Sequence, residues 1–184
     1  PREEEFAWPL WLAGWTTYTL LDDRRAVVLH GRGCTRLGVL DLRSGELVDL
    51  PVDAEWHPGL GTDGSRVAGV MASATRPRTV VNVDLSSGAV EELRSASSDV
   101  PATDVLPLPV KRTFVRDDGQ EVHAYVHAPR NGAIEGPAGE RPPFIAIVHG
   151  GPTAAAHGIL DLEIAYFTSR GIGVVDVDYG GSTG

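Results

Sequence analysis

The residues best placed to do chemistry are His149-Gly-Gly-Pro152, directly after Phe144-Ile-Ala-Ile-Val148, an apolar and β-branched run of the kind that forms a buried strand. Two adjacent glycines let a main chain turn sharply and approach a ligand closely, because no Cβ is in the way. Such a loop at a strand end can aim a backbone N–H at an oxygen that gains negative charge during acyl transfer. The plainer alternative is a strand ending in an ordinary Gly-Pro turn. The candidate site residues are therefore His149, Gly150 and Gly151. His149 stands where the strand meets the reaction centre, and it reads as a buttress that hydrogen-bonds the loop following it.

A second motif, Gly180-Gly-Ser-Thr-Gly184, fits G-x-S-x-G, the nucleophile elbow of α/β-hydrolases, and it too follows a strand. An elbow needs a helix directly after it, with an acid and a histidine further along the chain. Nothing follows Gly184 here, so Ser182 reads as part of a Gly/Ser-rich loop, with the nucleophile as the lesser reading. The same chain order argues against His149 as general base. His123 and His127 share one face of an alternating strand, but no further Cys, His or carboxylate is placed to complete a metal set. No metal and no cofactor are expected. His157 could line the site. Glu3-Glu-Glu5 could hold a substrate ammonium, or be a solvated terminus. Trp8, Trp11 and Trp15 read as packing rather than as a substrate platform.

The elements that must position these residues change class along the chain. In the first half Asp41-Leu-Arg-Ser-Gly45 returns as Asp84-Leu-Ser-Ser-Gly88, about 43 residues later. Each copy follows an alternating strand (Leu37–Leu42 and Val80–Leu85) and precedes a short one (Leu47–Leu50 and Val90–Leu93). Trp15 pairs with Trp56 at a similar offset, and Leu21–Leu29 resembles Thr62–Val70. Four short strands per repeat of about 40–45 residues is the signature of β-propeller blades. Blade one spans Trp15–Leu50 and blade two Trp56–Leu93, with Phe6–Ala13 as a connector or the tail of an earlier blade. The alternative is a generic antiparallel β domain. Asp99–Pro109, with three prolines, reads as a linker. Beyond it come a hairpin around Asp117-Asp-Gly119, a surface loop over Pro129–Pro143, the strand Phe144–Val148, a helix over Leu160–Arg170 ended by Gly171, and a buried strand Gly173–Val177. Strand, helix and strand in that order suggest a parallel βαβ unit. The expected fold is thus about two propeller blades over residues 1–108, followed over 109–184 by the start of an α/β domain.

A net charge of −9 argues against nucleic acid and anionic membrane surfaces as partners. No apolar run has the length of a membrane span. The one cysteine, Cys34, excludes an intramolecular disulfide, reads as a turn residue and fits a cytoplasmic protein. The only methionine is Met71, and two blades cannot close a ring. Both features suggest an internal piece of a longer protein that needs the rest of its polypeptide. A homo-oligomer stays open.

The order of these parts resembles the prolyl oligopeptidase family of serine peptidases, and within it the bacterial acylaminoacyl-peptidase and dipeptidyl-aminopeptidase branch. The likeness is carried by Phe144-Ile-Ala-Ile-Val-His-Gly-Gly-Pro-Thr153 with Val174-Val-Asp-Val-Asp-Tyr-Gly-Gly-Ser-Thr-Gly184. The resemblance implies a propeller capping an α/β-hydrolase domain, short peptides as substrates, and Gly151 as one backbone donor to the oxyanion. It also implies that Tyr179–Gly184 is a loop and that nucleophile, acid and histidine lie downstream, so residues 1–184 alone should be inactive. An esterase of the same hydrolase fold and a non-catalytic propeller module are the competing readings.

Overall fold

The computed structural model describes residues 2–8, 13–151 and 154–183. Trp11, Pro152 and Gly184, with part of the connector 6–13, lie outside the described residues. The chain divides into two compact units, the first comprising residues 1–72 and 78–97, the second 73–77 and 98–183.

The first unit holds two four-stranded antiparallel sheets. One is made of β1 (Tyr18–Leu20), β2 (Arg25–Gly31), β3 (Thr35–Asp41) and β4 (Leu47–Asp49); the other of β5 (Glu55–Thr62), β6 (Arg66–Ser73), β7 (Arg76–Asp84) and β8 (Val90–Ser95). In each sheet the spatial order equals the chain order, as expected for consecutive blades. The repeated aspartates explain why. Asp41 Oδ1 accepts the N–H groups of Arg43 and Ser44 at 2.9 and 2.8 Å, and Asp84 Oδ1 those of Ser86 and Ser87 at 3.0 and 2.9 Å. Gly45 and Gly88 then close each hairpin at φ 74° and 72°, the left-handed region that glycine enters without strain. Asp22 and Asp63 do the same between the first two strands of each sheet, accepting from Arg24 and Arg25 and from Ser65 and Arg66. These hydrogen bonds favour the charged form, so all four carboxyls are held below the usual range, Asp84 at about 2.

Alternation of apolar residues turns one face of each sheet inward. Val27, Leu29 and Leu37 from one sheet join Trp56, Met71 and Val81 from the other in a single core. The matched tryptophans part here: Trp56 lies in β5 and is 0% exposed, whereas Trp15 precedes β1 and is 36% exposed. Position in the strand decides the difference, since Trp15 has no ladder to turn it inward. The segment before β1 is pinned to the first sheet. Glu5 bridges Gly31, Phe6 stacks on His30, and Glu4 Oε2 meets His30 Nδ1 at 2.8 Å.

The second unit is built on one mixed sheet, ordered β11-β12-β10-β9. Here β9 (Val110–Val115) and β10 (Glu121–His127) form the hairpin, and β11 (Phe144–Val148) runs parallel to β12 (Gly173–Asp178) across the helix α1 (Leu162–Thr168). Asp161 caps α1 by accepting from Glu163 and Ile164, and Gly171 at φ 86° ends the turn after it. Two expectations need correction. Within residues 1–184 the run Phe144–Val148 is not buried: β11 is an edge strand of the sheet, and Phe144, Ala146 and Val148 are exposed. An apolar run records the strand, but not how many neighbours it has. Nor is 99–109 a bare linker, since Leu106 is fully buried. Among the described residues no helix is long and apolar enough to cross a membrane.

Candidate active site

Because β11 and β12 are parallel neighbours, their C-terminal ends lie side by side, and the loops leaving them meet. From β11 come His149, Gly150 and Gly151; from β12 come Tyr179 to Thr183. Gly150 and Gly151 are exposed, and a Cβ added to either would meet nothing within 4 Å. Gly151 has φ 74°. Among the described residues no acceptor takes its N–H. The loop therefore presents, among the described residues, an unspent backbone donor.

His149 is 11% exposed, and its contacts are to the other loop rather than to the one that follows it. Its Nε2 lies 2.6 Å from Ser182 Oγ, and Ser182 Oγ in turn lies 2.7 Å from the Tyr179 carbonyl. A carbonyl can only accept, so the serine hydroxyl donates to it and His149 Nε2–H donates to the serine. This proton order leaves Ser182 without a base. The histidine that faces it holds a proton where a general base would need a lone pair. The Tyr179 ring stacks on His149 at 4.5 Å between centroids, and its hydroxyl donates to the Gly151 carbonyl at 2.9 Å. Behind the pair, Asp178 Oδ1 accepts the Ala156 N–H at 2.7 Å and holds the segment leading to α1. On the same strand burial pushes the Asp176 carboxyl up, and the neighbouring Asp178 pushes it further.

The remaining candidates are scattered. His123 Nδ1 contacts Thr113 Oγ1 at 2.9 Å across the hairpin. His127 is buried, and desolvation holds its imidazole below the usual value, so it is a neutral core residue. Among the described residues no group of three or more His, Cys, Asp or Glu could hold a metal. The acidic start is split, since Glu4 is committed to His30 while Glu3 points to Arg32 at 4.0 Å. Sequence reasoning missed Tyr179. Its signal was the Asp-Tyr-Gly-Gly run after β12, but nothing in that run says which carbonyl the hydroxyl reaches.

No family model matches the chain, and no curated protein does. Solved structures do. A Mycobacterium tuberculosis puromycin-hydrolyzing peptidase is 49% identical over 100% of the chain, with a TM-score of 0.94. A puromycin hydrolase is 44% identical over 100% of it, with a TM-score of 0.89. A Pyrococcus horikoshii acylaminoacyl peptidase, at 22% identity over 92% of the chain and a TM-score of 0.63, shares the fold. The chain spans 28% of the length of each of the first two and 26% of the third. With identities of 49% and 44% along all of its length, the chain belongs to the prolyl oligopeptidase family.

Proposed function

We propose that the protein carrying this chain is a serine peptidase that hydrolyses amide bonds in short, peptide-like substrates, and that this segment supplies propeller blades and half of the oxyanion hole. The observation that carries the reading is the identity to two puromycin-hydrolysing relatives along the entire chain, through both loops of the site. In this reading residues 1–108 are propeller and residues 109–184 begin an α/β-hydrolase domain, as the parallel β11–α1–β12 unit supports. Gly151 N–H is the oxyanion donor, Gly150 gives the loop its freedom to turn, and His149 ties the strand end to the facing loop through Ser182. A serine elsewhere in the polypeptide attacks the substrate carbonyl, and a histidine carries its proton to the leaving amine. As the carbonyl oxygen becomes an oxyanion, Gly151 N–H and the N–H following the nucleophile share its charge; losing one such donor costs about 3–4 kcal/mol. The chemistry needs no cofactor or metal. A single cysteine, exposed at Cys34, fits a cytoplasmic enzyme.

Puromycin is the substrate to try first, beside dipeptidyl and acylaminoacyl nitroanilides. The full-length protein is expected to cleave at least one of these and to be labelled by a serine-directed phosphonate, whereas residues 1–184 alone do neither. Neither cleavage nor labelling in the full-length protein would refute the reading.

A further inference from the structure

The Gly150-Gly151 turn has no side chains of its own, so whatever fixes its conformation must come from elsewhere. Beyond it stands a proline, whose ring disfavours a helical conformation in the residue before it but offers no hydrogen bond to aim that residue's N–H. Tyr179 supplies the restraint. Its hydroxyl donates to the Gly151 carbonyl at 2.9 Å, from 28 residues further along the chain. Its ring lies on the His149 ring with an interplanar angle of 22°. His149 donates to Ser182, and Ser182 donates back to the Tyr179 carbonyl. The contacts form a closed circuit that includes both loops. Tyr179 is the only member that reaches Gly151, and its ring is 37% exposed, so packing alone does not call for a tyrosine.

We propose that the Tyr179 hydroxyl is a positioning group for catalysis: by holding the Gly151 carbonyl it sets the direction of the Gly151 N–H. The N–H and the carbonyl of Gly151 belong to successive peptide planes that pivot at one Cα; without a Cβ, sterics hardly limit that pivot, so a hydrogen bond anchoring the carbonyl removes freedom that the glycine itself does not restrict. An oxyanion donor works only when its hydrogen already points to where the oxygen will be charged, and small misplacements are costly. The inference rests on Gly151 being the oxyanion donor.

Tyr179→Phe in the full-length enzyme tests it, because the ring and its stacking remain while the hydrogen bond is lost. The expected result is kcat about tenfold lower with KM within about twofold. Affinity for a peptide aldehyde, whose hemiacetal oxygen takes the oxyanion position, should fall by a similar factor, while affinity for the product acid stays unchanged. A structural role alone would leave that split absent. Should Tyr179→Phe not fold, Tyr179→Trp, which also stacks without a hydroxyl, replaces it under the same criteria. Wild-type kcat in the variant, or equal losses in aldehyde and product affinity, overturns the inference and leaves the peptidase reading standing. A wild-type protein that cleaves no peptide, aminoacyl or acylaminoacyl amide overturns both.

Discussion

In the first unit Asp22, Asp41, Asp63 and Asp84 lie at strand ends, where each gathers two backbone N–H groups within the next three residues. In the second unit Asp176 sits within β12, half-buried and next to the Asp178 charge. The turn carboxylates favour the folded state by being ionised, and the strand carboxylate favours it by being protonated. The difference is one of range. A turn is finished within four residues and can be repeated from blade to blade, whereas the site is assembled from loops about thirty residues apart that each occur once.

The largest effect should come from testing whether the repeated turns or the shared core hold the blades. Trp56→Ala removes a fully buried ring from the core and should cost about 3–5 kcal/mol in urea unfolding. Trp15→Ala, at the matched but exposed position, should stay within about 1 kcal/mol of wild type. Equal losses would mean that the two repeats are packed alike, against the difference in burial described above.

Gly151→Ala probes the other unit. There is open space for the methyl group, so the cost is confined to φ 74° and should be about 1–2 kcal/mol of local strain. In the proposed peptidase the strained loop would also turn the N–H away, so kcat should fall by about a hundredfold or more while the blades unfold as before. An alanine variant with normal kcat would show that this N–H does not face the oxyanion.

The contrast in range also explains what could be read from the amino-acid order. Asp41-Leu-Arg-Ser-Gly45 and its copy announce the hairpins because the acceptor, the donors and the glycine all lie within five residues. The parallel β11–α1–β12 unit was legible from apolar spacing and from Gly171. His149, Gly150 and Gly151 were legible as a loop at a strand end. Their partners were not: no local rule says that His149 meets Ser182, or that Tyr179 rather than His149 holds Gly151. The exposure of Phe144 and Val148 was equally hidden, because it follows from the order of strands in the sheet rather than from the composition of any one strand.

Acid should separate the blade turns next. Their carboxyls have folded-state values below the unfolded one, so their contribution is complete above about pH 4 and is lost as pH falls through the folded values, Asp84 at about 2. Protection factors in β3 and β7, that is, exchange corrected for its intrinsic pH dependence, should therefore fall as pH drops from about 4 to about 2, and less so at high salt, since these carboxyls face solvent. Asp41→Asn and Asp84→Asn keep an acceptor but lose the charge, and should flatten that dependence. A pH trend unchanged in the double variant would assign the acid sensitivity to other carboxylates.

The smallest effect, and the one that most directly tests the contrast, belongs to Asp176. Burial and the neighbouring Asp178 raise its folded value above the unfolded one. The folded state then binds the extra proton, so the contribution is present below the unfolded value and is lost as pH rises through the folded one. Asp176→Asn is neutral at every pH and similar in shape, so it should remove that loss and make β12 exchange more slowly near pH 7 than in wild type. At pH 3, where both side chains are uncharged, the two proteins should match. The opposite sign, with the asparagine variant weaker at pH 7, would mean that the Asp176 charge is compensated by the histidines around it, His149 and His157, and that the second unit uses its aspartates as the blades do.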